Sequence, residues 1–419
     1  MTRDVARPAG EPQLMTDRYA QTPTGPLAGV RVLDLSSVVV GPYCTELLGD
    51  MGADVTKVEP PDGDVSRWIG PRHSEGMSAQ FVNLNRNKRC VQLDLKDPRG
   101  REALLRLAGD ADVFVTNMRR QALGRLGIGF GEIAAVRPDV VYCRIVGFGA
   151  ESPHRDKPAI DDVIQAMSGI VALQEELTGN PSYVGMALAD ATCGLIALSG
   201  ILAALYRRAE SGAGEEIEVP MYDAMASFVL STHMSGTIFN PPLGPPVYPR
   251  SVAPNRRPWR TSDGVLCVAP YSDAQWRRFL AIVGREDLLS DARFATVFDR
   301  SHHLDELYAL VEPLIAQWTT RGLSLELEAS DIPYAPVQST SDVVADVSLW
   351  AAGLFQQVSH PTEGTLNLVA NPIRFASRPC NLHRLPGRLG QDTRAVLTEA
   401  GFDEQEVDAL AGEDESTGR

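Results

Sequence analysis

The stretch RVLDLSSVVVGPYCTELLGDMGADVTKVE, residues 31–59, decides the fold. RVLDL at 31–35 reads as a strand, 43–51 as a helix, and DVTKVE at 54–59 as a second strand. A strand, a helix and a strand within about 30 residues form a βαβ unit, whose two strands lie parallel in one sheet. Working outward, CVQLDL (90–95), VFVT (113–116) and VVYCRIV (140–146) supply further strands, with Pro98 at the first turn of an intervening helix. The architecture expected is an α/β fold whose large domain is a doubly wound parallel sheet. Such sheets bind ligands at the carboxyl ends of their strands, so SSVVVGP, EPPDGD, LKDP and NMRR should share one rim.

Beyond this unit the chain divides by composition. Residues 1–24 are polar and read as a flexible tail, with Met15 as an alternative start. The large α/β domain is expected over 25–225, ending in a long helix at 191–208 and a short strand-like run at 217–220. Over 226–340 come a linker and a smaller α+β domain; the Pro-rich stretch 240–258, with PPLGPP and NRRP, is the linker. That domain should hold a strand at 263–269 and helices at 275–283 and 303–318. Residues 341–419 carry short strands, a helix at 393–400 and the solvated tail GEDESTGR.

Composition narrows the function. The 419 residues are 44% hydrophobic and 22% charged, an ordinary balance for a folded domain. The formal charge of −15 opposes a nucleic-acid partner, because a phosphate backbone repels such a field. The longest apolar run, 194–205, is shorter than the ~20 residues of a membrane helix, so no membrane partner is expected. The amino-terminal residues lack the apolar core of a secretory signal. Six cysteines without metal spacing read as buried thiols of a protein in the reducing cytoplasm.

The familiar nucleotide motifs fail on position. Gly127-Ile128-Gly129-Phe130-Gly131 follows a helical stretch, whereas a dinucleotide loop follows a strand and opens a helix. No P-loop, G-x-S-x-G elbow or H-E-x-x-H is present, and His302 and His303 read as solvated side chains on a surface helix. Basic residues gather at Arg86, Lys88, Arg89, Lys96, Arg119, Arg120 and Arg125. A charge cluster is by default a solvated face. Lys96 and Arg119, however, directly follow strands and so occupy the rim, where cations can neutralise a polyphosphate.

GMALADATCG, at 185–194, sets Asp190 just before an apolar helix whose inward face would be Leu195, Leu198, Leu202 and Leu205. From the residues alone, Asp190 is an N-cap. The same place keeps a carboxylate ionised, and an ionised carboxylate can serve as a covalent nucleophile.

Five strings taken in order carry a resemblance: LDLSSVVVGPYCTELLGDMGADVTKVEPPDGD, NRNKRCVQLDLKDPRG, DVFVTNMRRQALGRLG, Gly147-Phe148-Gly149 with PAIDDVIQAMSG, and ALADATCGLIALSGILAAL. Together they resemble the class III CoA-transferases, a family that includes formyl-CoA transferase, carnitine CoA-transferases and α-methylacyl-CoA racemases. The likeness runs from about residue 26 to 379. It implies that Asp190 is the nucleophile and that Val38, Leu93, Lys96, Asn117 and Arg125 line coenzyme A, with Lys96 and Arg125 on its phosphates. Lys88 and Arg89 are the next phosphate candidates. Met118 stands where a Phe is usual, so adenine stacking becomes a sulfur contact. Pro60 and Val39 replace an Arg and a Gln of formyl-CoA transferase, and no glycine loop is present; formyl-CoA and oxalate are therefore not expected substrates. The resemblance also implies that the C-terminal segment completes the large, CoA-binding domain and that two chains interlock as a homodimer, crossing near 240–258.

The racemases of this family use a His in a G-H-D triplet as a second base. The matching triplet here is Ala159-Ile160-Asp161, and isoleucine cannot exchange a proton. His154, six residues earlier in a Pro-flanked loop, reads as a surface residue. Ile160 also implies a more apolar pocket, and Asp161 a residue that orients or polarises the site. The reading is thus a transferase that moves coenzyme A from an acyl-CoA donor to a carboxylic acid through aspartyl anhydride and aspartyl-CoA thioester intermediates. Acyl-CoA and the acid are its substrates, and no permanently bound cofactor or metal is expected. A racemase-like isomerase and a non-catalytic acyl-CoA-binding protein are the alternatives.

Overall fold

The computed structural model describes residues 22–411. Most of the expected tail at 1–24, and GEDESTGR at 412–419, lie outside the described residues. Thr24 is anchored: its N–H donates to Asn381 Oδ1 at 3.0 Å and its hydroxyl to Pro379 O at 2.8 Å.

Six strands, β1 (Arg31–Leu35), β2 (Asp54–Glu59), β3 (Lys88–Gln92), β4 (Val113–Thr116), β5 (Val141–Val146) and β6 (Glu215–Pro220), form one sheet in the order β3-β2-β1-β4-β5-β6. Every pairing is parallel. The order reverses between β1 and β4, which is where a doubly wound sheet opens its ligand crevice. Helices cover both faces, so β1, β2, β4 and β5 are buried almost throughout, including polar positions such as Asp34, Lys57 and Arg144. Helix α1 (Val40–Asp50) joins β1 to β2, starting three residues earlier than its apolar pattern suggested. Helix α2 (Pro98–Gly109) joins β3 to β4; the Asp97 carboxylate caps it by accepting the Arg99 N–H at 2.9 Å. Phe114 and Tyr142 stack at 5.0 Å within the core, which Val396 and Leu397 of the C-terminal helix Thr393–Glu399 close from the β3 side. That segment is also hydrogen-bonded to the strand: Cys90 N–H donates to Asp392 Oδ2 at 2.8 Å and Gln92 N–H to Thr393 Oγ1 at 2.9 Å.

Three further helices matter to the site: α3 (Arg120–Leu126), α4 (Asp161–Met167) and α5 (Leu188–Ser211). Helix α5 starts three residues earlier than expected and turns a partly different face inward, with Leu198 buried as expected. Its buried positions are Ala189, Cys193, Gly194, Ala197, Leu198, Ile201 and Ala204, while Leu195 is 46% exposed. Small residues face inward because the helix packs closely on α1, β5 and β6. A Cβ on Gly194 would lie 2.9 Å from the Val40 carbonyl oxygen. Contrary to the estimate from 194–205, α5 is long and apolar enough to cross a membrane by length and composition. In this fold it is the helix lodged against the sheet, and Arg208 near its end pairs with Asp112 at 2.9 Å and with Asp139.

The chain forms two compact units. The first comprises the residues up to Ile164, Met186–Met225 and those from Val347 onward; the second comprises Gln165–Gly185 and Ala226–Asp346. Gln165–Gly185 lies inside the range expected for the large domain, but its helix Ile170–Thr178 packs against the short helix Pro249–Val252 of the Pro-rich stretch. The second unit holds a three-stranded antiparallel sheet, Trp259–Arg260, Val265–Val268 and Tyr334–Pro336, over a core that includes Trp276, Phe279 and Tyr308.

Candidate active site

Where the strand order reverses, the turns after β1 and β4 are tied together. Asn117 Oδ1 accepts the Ser37 N–H at 3.0 Å, and its Nδ2 donates to the Ser37 carbonyl at 2.9 Å. Val38 has φ +69°, a left-handed conformation that strains a β-branched residue. Its N–H points at both oxygens of Asp64, at 3.1 and 3.2 Å, and Asp64 is held in turn by Lys57 Nζ at 2.9 Å. Asp64 fixes the rim turn and was not singled out from the sequence, although it ends the EPPDGD string.

Lys96, Arg119 and Arg125 are exposed, and among the described residues no carboxylate lies within ion-pair distance of them. They lie beyond the carboxyl ends of strands or on the helix that follows: Lys96 four residues beyond the edge strand β3, Arg119 three beyond β4, and Arg125 on α3. The Met118 side chain packs on the core, and Leu93 is 1% exposed with its N–H donated to the Glu59 carbonyl at 2.9 Å. Leu93 therefore lends the rim its backbone.

Lys88 and Arg89 are placed elsewhere, which corrects their candidacy as phosphate contacts. Lys88 is fully enclosed, its Nζ donating to Asp34 Oδ2 at 3.2 Å, Asn85 Oδ1 at 2.9 Å and the Pro42 carbonyl at 2.9 Å. Burial opposes ionisation of Asp34, yet Lys88 and Lys57 together hold its carboxyl below the ordinary value. Arg89 pairs with Asp54, the first residue of β2, and with Glu399, which puts it at the amino-terminal side of the sheet. Arg86 is likewise consumed by Glu46 and Asp50.

Asp190 stands in the first turn of α5. The cap position is Ala187, so Asp190 is not the N-cap. Its N–H donates to Asp161 Oδ1 at 2.9 Å, which ties the start of α5 to the start of α4. Asp161 is brought there by a close crossing: a Cβ on Gly147, just past β5, would lie 2.3 Å from the Ala159 Cβ. Glu218 of β6 steadies the same region, with Oε1 accepting the Ala150 N–H at 2.9 Å and the other oxygen pairing with Arg144 and Arg120. Because α5 carries the chain from the end of β5 to the start of β6, its amino end lies at the carboxyl rim. Gly194, one turn past Asp190, packs so closely on α1 that an added Cβ would lie 2.9 Å from the Val40 carbonyl, which sets the first turns of α5 beside the start of α1.

The electrostatics reverse one expectation. The helix terminus does not hold Asp190 ionised at low pH; burial, followed by repulsion from Asp161 and Asp162, pushes its carboxyl up to about 7. A poorly solvated, basic carboxylate is a stronger nucleophile than a free aspartate. His154 also differs from a plain surface residue, being half-buried with its ring edge-on to Phe148 at 5.5 Å.

The doubly wound sheet thus carries exposed cations past the carboxyl ends of its strands and a carboxyl of raised pKa at the start of α5. The chain belongs to CoA-transferase family III, whose model matches residues 27–393. It is 32% identical over 395 residues to the succinate–glutarate CoA-transferase of Agrobacterium fabrum, covering 92% of this chain and 98% of that one. It is 30% identical over 390 residues to the (R)-2-hydroxy-4-methylpentanoate CoA-transferase of Clostridioides difficile, covering 91% and 97%. Among solved structures it resembles a CAIB/BAIF family protein from Brucella suis, with a TM-score of 0.76 and 30% identity, over 90% of this chain and 100% of that one. The protein is thus an enzyme of the CoA-transferase class, and enzymes of this class act on CoA thioesters.

Proposed function

We propose that this enzyme transfers coenzyme A between carboxylic acids by covalent catalysis at Asp190. The carrying observation is the Asp190 carboxyl itself, pushed up to about 7 and tied through its backbone to Asp161 at the rim. A carboxylate oxygen of Asp190 attacks the thioester carbonyl of the donor; the C–S bond breaks, giving a mixed anhydride and CoA thiolate. The thiolate attacks the aspartyl carbonyl, forming an aspartyl-CoA thioester and releasing the donor acid. The acceptor carboxylate then attacks that thioester to give a new anhydride and thiolate, and the thiolate takes the new acyl group, freeing Asp190. Charge and atoms balance at each step without a further cofactor.

The chain's own groups divide the remaining work. Lys96 and Arg125, with Arg119, hold the CoA phosphates, and Val38, Leu93, Asn117 and Met118 frame the crevice. With Val39 in place of an amide side chain, the Val40 and Gly41 N–H groups that open α1, ahead of Pro42 and of Tyr43, whose N–H is taken by the Val39 carbonyl, take up oxyanion charge. Asp161 is a positioning residue that aligns the α5 terminus. The two-base racemase reading has no support at residue 160, which is isoleucine. We place the enzyme in the cytoplasm as a homodimer; the outward apolar residues Leu195, Ile196 and Tyr206 of α5 favour a covered face. A solution mass of about twice 45.4 kDa is the expected result, and a single-chain mass would refute the dimer.

Asp190→Asn tests the chemistry. The amide keeps the shape and cannot form the anhydride, so transfer falls about 10³-fold or more while CoA binding persists. In the wild type only the ionised carboxylate attacks, so the rate rises with pH through about 7 and levels above it. Near wild-type transfer by Asp190→Asn would contradict the scheme.

A further inference from the structure

The family name leaves the acid open, since relatives named for dicarboxylates and for a branched hydroxy acid match the chain about equally well. The surroundings of Asp190 narrow it. Ile160, 66% exposed, immediately precedes the aspartate whose Oδ1 receives the Asp190 N–H, and its carbonyl accepts the Ile164 N–H at 3.2 Å as α4 begins. Val163, one turn on, is 36% exposed. Met186, 57% exposed, lies in the turn into α5, where its carbonyl accepts the Leu188 N–H at 2.8 Å. Three apolar side chains thus remain open to solvent on the two segments that meet at the nucleophile.

We propose that the acids exchanged on Asp190 are monocarboxylic acids with apolar aliphatic tails, chosen over dicarboxylic acids by Ile160, Val163 and Met186. This deepens the transferase reading and rests on it. A tail extending from the aspartyl anhydride passes over these side chains, and burying its methyl groups there is favourable. A dicarboxylate would instead bring a second charge to an apolar wall beside Asp161 and Asp162, and those two carboxylates are the charged groups that act on Asp190. Because donor and acceptor acids are carried in turn by the same carboxylate, one wall screens both.

The test uses the full-length enzyme with 3-methylbutanoyl-CoA and succinyl-CoA as donors and 3-methylbutanoate and succinate as acceptors. The expected kcat/KM favours 3-methylbutanoate over succinate by about tenfold or more. Ile160→Arg supplies a counter-charge and should narrow or invert that ratio by about tenfold, while Ile160→Ala weakens use of 3-methylbutanoate alone. Equal or better use of succinate by the wild type, or a ratio unmoved by Ile160→Arg, would overturn the proposal. Mass spectrometry of Asp190 separates the two levels. An adduct from succinyl-CoA but not from 3-methylbutanoyl-CoA defeats the apolar-acid inference and leaves the transferase standing; no adduct from either defeats the transferase reading itself.

Discussion

Lys88 and Lys96 are eight residues apart in one strand-and-loop segment, and the fold gives them opposite environments. Lys88 opens β3 facing inward, where Asp34, Asn85 and the Pro42 carbonyl satisfy its three donors. Lys96 lies past the strand's carboxyl end, exposed, with its backbone N–H donated to Asp94 Oδ1 at 2.9 Å and no carboxylate within ion-pair distance of its side chain among the described residues. A cation that the protein has already neutralised cannot recruit a phosphate. One left unmatched beyond a strand's carboxyl end can. The buried set of Asp34, Lys57, Lys88 and Asp64 therefore holds the rim turn in its strained shape, and the exposed set of Lys96, Arg119 and Arg125 is the one proposed to meet the ligand.

Two substitutions sharpen this division. Lys88→Met removes one partner of an enclosed pair and leaves Asp34 buried and under-compensated, so unfolding stability falls by about 3–5 kcal/mol. Denaturant titration measures it, and a variant as stable as the wild type would mean that the pair carries little. Lys96→Ala and Arg125→Ala should instead leave stability within about 0.5 kcal/mol of wild type. Each weakens CoA binding by about 1.5–3 kcal/mol, less as salt rises. Arg89→Ala, at the opposite side of the sheet, serves as the control. Calorimetry that found CoA affinity unchanged at Lys96 and Arg125 but reduced at Arg89 would invert the comparison.

What could be seen in the sequence follows the range of the physics involved. The parallel strands were legible because short runs rich in β-branched and other apolar residues alternate with helical stretches, and Pro98 announced a helix start through local chemistry. The inward face of α5 was not legible. Leucine spacing pointed to Leu195, yet the close approach of α1 selects the alanine and glycine side, and that neighbour lies about 150 residues away in sequence. The rim position of Lys96 was legible from the strand it follows, but the enclosure of Lys88 was not, because its pairing with Asp34 is a tertiary fact. The position of Asp190 was visible, but its raised pKa depends first on burial and then on Asp161 and Asp162, all of which the tertiary fold sets.

The central claim is that Asp190 becomes covalently acylated. Wild-type enzyme incubated with an acyl-CoA and quenched with hydroxylamine or borohydride, then digested and analysed by mass spectrometry, measures this directly. The account predicts modification at Asp190 alone, release of CoA, and neither in Asp190→Asn. An unmodified Asp190 during active CoA transfer, or a modification borne by another residue, would contradict it.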